Sequence, residues 1–190
     1  MNMTTFLQNQ FSNIQVNYQS IAGDLTDQEW VCRPAPGQNM LGYTAWHIPR
    51  TQDFIIQSWI RGLPEVAHSD RWTCWRSLKR LGFGAGIPLA GADEIARTVR
   101  RVDVLAYMSA VLQEIMAWLQ EMDDTDLDQI PDPARHFSSF PEYQTPEFHE
   151  EADDLLNQPV WLLLMRPSIG HVYRHLGELE SIKSILRTSY

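Results

Sequence analysis

Between residues 92 and 122 an apolar side chain falls at almost every third or fourth position: Ile95, Val99, Val102, Leu105, Met108, Leu112, Ile115, Leu119 and Met122. That spacing traces one face of an α-helix, whose 3.6-residue turn brings such positions into line. Asp93 and Glu94 sit in its first turn, where the helix dipole favours acids. One helix of this length, roughly 45 Å at about 1.5 Å per residue, exposes too much apolar surface to stand alone and belongs in a bundle.

Three further stretches share the pattern. The first follows Thr4 or Thr5, either of which can cap it. It carries Leu7, Phe11, Ile14, Tyr18 and Ile21, with Gly23 just past its end. The second starts from Asn39 as a cap and runs to Gly62. Met40, Tyr43, His47, Thr51, Phe54 and Ser58 share one face, and Leu41, Ile48, Ile55 and Trp59 lie beside it. Pro49 removes a backbone donor within a turn of His47 and predicts a kink there. The last occupies about 168–187, preceded by a turn or two from Val160, with Pro167 at the junction and Ser168 as a new cap. Its apolar stripe is Val172, Leu176, Leu179 and Leu186. The expectation is an all-α four-helix bundle, one domain over 1–190, with a long crossover that leaves helices 2 and 3 parallel.

Two long connections remain, about 63–91 and 123–158. The first holds Trp72 and Trp75, expected as hydrophobic cover or a pocket mouth, and the basic cluster Arg71, Arg76, Lys79 and Arg80. That cluster suits a solvated face paired with the acidic loop, or an acidic substrate or thiol cofactor. The second counts eleven Asp or Glu against one Arg between 123 and 154. Connections this long in a compact domain are usually lids, binding loops or mobile segments.

Bulk composition narrows the partners. A net charge of −9 argues against nucleic acid and anionic membranes, which need clustered Lys and Arg. No stretch reads as the roughly 20 apolar residues of a membrane span, and the N-terminus lacks the pattern of a signal peptide. Cys32 and Cys74, far apart and outside any CxxC, read as free thiols in a reducing compartment, so the expected location is the cytoplasm.

The chemistry rests on histidine. In "GHVYRHLGELESIKSILR" (170–187), His171, His175 and Glu178 fall within about 60° of one another on a helix. His47 lies in the apolar face of the second helix. Three imidazoles suit Zn, Ni, Fe or Cu and leave a fourth position open, the arrangement of catalytic rather than closed structural sites. The alternative is a set of partly buried histidines bonded to ordinary acceptors. Glu178 can orient a ligand, act as a base or take a coordination position, or stand as a surface acid. His68, His136 and His149 read as solvated loop residues. No HExxH, no G-x-S-x-G and no phosphate-binding glycine loop is present, since "GFGAG" at 82–86 follows no strand and opens no helix.

Three stretches together resemble a known family. They are "LTDQEWVCRPAPGQNMLGYTAWHIPRTQDF" (25–54), the "RGLP" exit after helix 2, and "GHVYRHLGELESIKSIL" (170–186), similar to an H-x3-H-x-G-Q pattern. The chain resembles the DinB-like superfamily, which includes YfiT-type metal hydrolases, bacillithiol S-transferases and the N-terminal domain of mycothiol-dependent maleylpyruvate isomerase. The resemblance implies a four-helix bundle with a crossover between helices 2 and 3. It also implies a metal triad of one histidine from helix 2 and two from helix 4, here His47, His171 and His175. Departures are Glu178 where Gln is frequent, Pro49 close to the first ligand, and the acidic elaboration at 123–158. The expected function is a divalent-metal-dependent thiol S-transferase or hydrolase-like enzyme, with Zn or Ni as metal. A low-molecular-weight thiol such as bacillithiol or mycothiol would serve as cosubstrate, and Glu178 would position water or accept a proton. The alternatives are a non-catalytic metal- or ligand-binding bundle and a structural dimer without metal. With seven tryptophans on a helical bundle, a homodimer is expected.

Overall fold

The computed structural model describes residues 2–137 and 140–188. Among them there is no strand. The predicted stripe of α1 (Met3–Gly23) is buried throughout, from Leu7 to Ile21. Its cap is Asn2, one turn earlier than expected, whose side chain accepts the Thr5 N–H. After the short α2 (Asp27–Trp30), α3 (Leu41–Asp53) continues through a wider π-turn, Phe54–Ile60. The residue preceding α3 is Met40, and the expected Asn39 cap is not used.

The long third helix is two helices. α4 (Leu89–Thr98) and α5 (Arg101–Glu121) are separated by Val99 and Arg100 in extended conformation. The apolar period runs across the break, which is why the sequence reads as one helix. The break is fixed from outside, because the Val99 carbonyl accepts the buried Trp30 indole N–H at 3.2 Å. The register changes there, and Val102, expected inside, is 61% exposed. After the small helices α6 (Ala134–Phe137) and α7 (Pro146–Ala152), α8 (Val160–Leu163) passes through a π-turn, Leu164–Gly170, into α9 (His171–Thr188). Pro167 therefore does not break the chain, and Ser168 is not a cap.

Both prolines stay inside helical segments because the carbonyl each leaves without a partner is taken by a side chain. Pro49 has no N–H for Ala45 four residues back, and Tyr18 donates its hydroxyl to that carbonyl at 2.8 Å. Pro167 has no N–H for the Leu163 carbonyl, and the π-turn spans the gap, with the Ser168 hydroxyl bonding that carbonyl at 3.2 Å.

The four long helices pack in a ring, α1 against α5 and α9, and α3 against the same two. Residue pairs give the directions. Gln15 reaches Ser109 and Gln19 reaches the Leu105 carbonyl, so α1 and α5 are antiparallel. Gln10 meets Tyr173 and Asp24 meets Arg187, so α1 and α9 are parallel. His47 meets His175 and Gln52 meets Ser168, so α3 and α9 are antiparallel. It follows that α3 and α5 run parallel, as the long crossover between them predicts.

That crossover is not a loose loop. Residues 66–81 form 3₁₀ turns, Val66–His68 and Asp70–Leu81, laid over α3. They bury the polar side of α3 as well, so that Arg50 and Asp53 are at most 4% exposed. The acidic 123–158 segment is likewise anchored. It sends Phe137, Tyr143 and Phe148 into an aromatic cluster around Phe54 and Phe83, whose rings stack at 4.3 Å. By length and composition α5 is apolar enough to cross a bilayer, against the sequence reading. Its Val104, Tyr107, Met108, Val111, Ile115 and Leu119 face the core, and a core helix meets the same test.

Candidate metal centre

One face of α3 carries Tyr43, His47 and Arg50, spaced four and three apart. Each donates to a successive carbonyl of the strap that follows the crossover. The Tyr43 hydroxyl bonds Gly84 O at 2.6 Å, His47 Nδ1–H bonds Phe83 O at 2.8 Å, and Arg50 Nη2 bonds Gly82 O at 3.1 Å. The strap can lie this close because of glycine. At Gly84, φ is +95°, and a Cβ would stand 3.0 Å from the Trp46 ring and 3.3 Å from His47 Nδ1. "GFGAG" is thus the seat of a histidine and not a phosphate loop.

With Nδ1–H spent on Phe83, His47 turns its Nε2 lone pair inward. The π-turn before α9 aims His171 and His175 at the same point. His171 Nε2 lies 3.1 Å from His47 Nε2 and 3.0 Å from His175 Nε2, and one nitrogen from each of the three lies within 4.8 Å of the others. Gln52 holds the π-turn in place by donating to the Ser168 carbonyl at 3.0 Å. The convergence the sequence predicted for His47, His171 and His175 is present.

Glu178 stands on the far side. Its Oε2 accepts the His175 Nδ1–H at 2.6 Å, leaving His175 Nε2 free to point inward. Of the roles weighed for Glu178, this placement matches the orienting one. His171 differs. Arg174 Nη2 is 3.1 Å from its Nδ1, and a guanidinium only donates, so in this arrangement the His171 proton sits on Nε2 between the other two rings. Holding a cation through all three Nε2 atoms requires that proton to move to Nδ1 and Arg174 to release it.

Electrostatics favour neutral ligands. Burial, then the neighbouring His175 and His171, pushes His47 down to about 3, against the ordinary 6.5. Burial, then His175 and Arg174, pushes His171 down to about 4. Both rings are unprotonated at neutral pH, the form in which imidazole binds metal. The donor set fits a borderline divalent ion: three imidazole nitrogens from two rigid elements and no carboxylate among them. The open side faces a cavity of about 380 Å³ whose walls include Tyr43, Thr51, Phe83, Glu151, Arg166 and Arg174.

The other histidines take no part. His68 is half-buried and stacks on Phe140 at 5.6 Å, His136 is also half-buried, and His149 is exposed. Only the last matches the solvated reading. The sequence reading missed the Phe83 carbonyl, Gln52 and Arg174. The run of alternating glycines, 82, 84 and 86, all at positive φ, was the one visible signal of the strap.

It also missed a buried charge network behind the site. Arg50 pairs with Glu65 at 2.6 Å and with Asp53 at 3.3 Å. Tyr107 donates to Asp53, Tyr143 donates to Glu65, and the Val66 and Ala67 N–H groups donate to Asp53 at 2.9 and 3.0 Å. Burial, then Glu65, raises the Asp53 carboxyl. Burial alone would raise Glu65 too, but Arg50 and His68 hold it below the ordinary range. The network ties the crossover to α3 and so fixes the wall of the site.

No curated protein matches the chain. The sequence profile of the DinB superfamily matches residues 10–179, which take in α3 and α5 whole, most of α1, the first half of α9 and all three histidines. With nine-tenths of its length matched and the His47, His171 and His175 rings gathered on one cavity, the chain belongs to the DinB superfamily.

Proposed function

We propose that the protein is a divalent-metal-dependent enzyme transferring a low-molecular-weight thiol, such as bacillithiol or mycothiol, onto a carbon electrophile, with Zn or Ni held by His47, His171 and His175. The observation carrying this reading is the convergence of three imidazole Nε2 atoms on one side of an accessible cavity, an arrangement that leaves a coordination position open. When bound, such an ion supplies Lewis acidity that favours the thiolate over the thiol.

The chain's own residues then divide the work. Phe83 O and Glu178 fix the tautomers of His47 and His175. Arg166 and Arg174 line the cavity and would attract the carboxylates of a thiol such as bacillithiol. Arg166 is paired with Asp154 at 2.7 Å and gives up part of that pairing to a ligand. Glu151, the other acid on the cavity wall, accepts the sulfhydryl proton. The sulfur electron pair forms the new C–S bond as the leaving group departs with its own pair. Phe83 and Tyr43 cover the site and limit water.

The test is adduct formation between bacillithiol, mycothiol or glutathione and a chlorodinitrobenzene, followed by absorbance with Zn- or Ni-loaded protein. The expected result is turnover that needs both thiol and metal and is lost in His175→Ala. Stoichiometric metal with adduct formation no faster than in buffer contradicts transferase activity and leaves a metal-binding bundle.

A further inference from the structure

A second cavity, of about 340 Å³, lies on the other side of the strap, between α3 and the Asp70–Leu81 segment. Gly82 lines this cavity, whereas Phe83 and Gly84 line the metal one, so the two are neighbours divided by backbone. Its body is indole. Trp72 and Trp75 stack at 5.2 Å and meet Tyr107 edge-on at 5.2 and 4.8 Å, and Trp46 closes the α3 side. The rim is open, since Ser69, Thr73, Arg76 and Lys79 are all exposed.

The charges on its lining have one sign. Arg50, Arg76 and Lys79 line it beside His68, whose burial disfavours its protonated form, and no carboxylate does, in a chain whose net charge is −9. The acids nearby lie outside it: Glu142 is nearly buried, at 4% exposed, beside Lys79 and His68, and Asp70 is fully exposed beside Arg76. Glu142 is 3.7 Å from Lys79 and 3.9 Å from His68, and Asp70 is 3.9 Å from Arg76 across open solvent. Arg50 is already satisfied by Glu65 and Asp53, which leaves Arg76, and Lys79 shared with Glu142, as the cations that face a ligand. The Trp46 and Trp72 indole N–H groups are buried and find no acceptor among the described residues. A buried donor without an acceptor is unfavourable, and both tryptophans belong to the lining of this cavity.

Aromatic walls alone would suit an organic cation through the ring faces. A basic rim without a lining acid opposes that and selects the opposite charge. We infer that this cavity is a binding site, separate from the metal centre, for a planar organic carboxylate whose ring lies against the tryptophans and whose charge meets Lys79 and Arg76.

The test uses 1-naphthoate and its uncharged counterpart 1-naphthalenemethanol, titrated calorimetrically into chelator-treated protein. Naphthoate is expected to bind one site saturably, to bind about tenfold more tightly than the alcohol, and to weaken by about tenfold in Arg76→Met/Lys79→Met. Both substitutions are on exposed side chains, and an unchanged melting temperature shows the fold is kept. His175→Ala, which removes the metal site, is expected to leave naphthoate affinity unchanged. Absence of saturable binding overturns the inference. So does equal affinity for the alcohol, equal affinity in the double variant, or loss of binding in His175→Ala, which would place the ligand in the metal cavity.

Discussion

His47 is directed by a backbone atom and His175 by a carboxylate, and the two supports differ in how they can be removed. Glu178 is half-exposed and packs little, so Glu178→Gln should leave the melting temperature within a degree or two. The same change should weaken Zn binding by about 10–100-fold, the usual cost of losing such an outer partner. Competition with a chelator of known affinity measures it. The Phe83 carbonyl cannot be mutated, but the strap that presents it can. Gly84→Ala places a methyl against Trp46, Tyr43 and His47 at a φ of +95°. Strain of about 1–2 kcal/mol should lower the melting temperature, and metal affinity should fall with it as the strap lifts. Glu178 was legible because three residues along a helix is a fixed distance. The Phe83 carbonyl was not, because it sits 36 positions from His47 and a backbone oxygen leaves no mark in the sequence.

At the scale of elements, the sequence marked where helices are disturbed and concealed what repairs them. Pro49 and Pro167 signalled missing donors. Only the fold brings Tyr18 to the Ala45 carbonyl, and Tyr18→Phe should cost about 1–3 kcal/mol by leaving that oxygen buried and unpaired. The break at Val99 was concealed for the opposite reason. Its cause is a tryptophan 69 residues earlier, while the local apolar period continues undisturbed. Nothing in the apolar pattern marks Arg50, and it is buried because the crossover covers α3 on its polar side. Arg50→Met should destabilise by about 3–5 kcal/mol, since Glu65 and Asp53 lose their counter-ion while still buried. Chemical denaturation checks both values.

For the whole molecule, the helix faces and the parallel course of α3 and α5 followed from periodicity and connection length. The ordered packing of 63–91 and 123–158 did not, because their aromatic anchors are not periodic. The assembled triad also sets how the metal-free protein responds to acid. His47 and His171 have folded values of about 3 and about 4, below the 6.5 of a free imidazole, so the unfolded chain takes up protons first. Their contribution to stability is full above pH 6.5 and is lost as pH falls through about 4 toward 3, at up to about 1.4 kcal/mol per pH unit for the fully buried His47. Asp53, whose carboxyl is raised, acts in the opposite direction but is common to every variant. Melting curves of the chelator-treated protein and of His47→Gln/His171→Asn, taken from pH 7 to 4, should therefore converge as pH falls.

The claim beneath all of this is that His47, His171 and His175 hold one cation together. Equilibrium dialysis against buffered Zn or Ni, with metal per chain read by mass spectrometry, tests it most directly. The account predicts one ion per chain at neutral pH, and far less in a folded His47→Ala. No retained metal at any concentration, or equal retention after all three histidines are replaced, would contradict it.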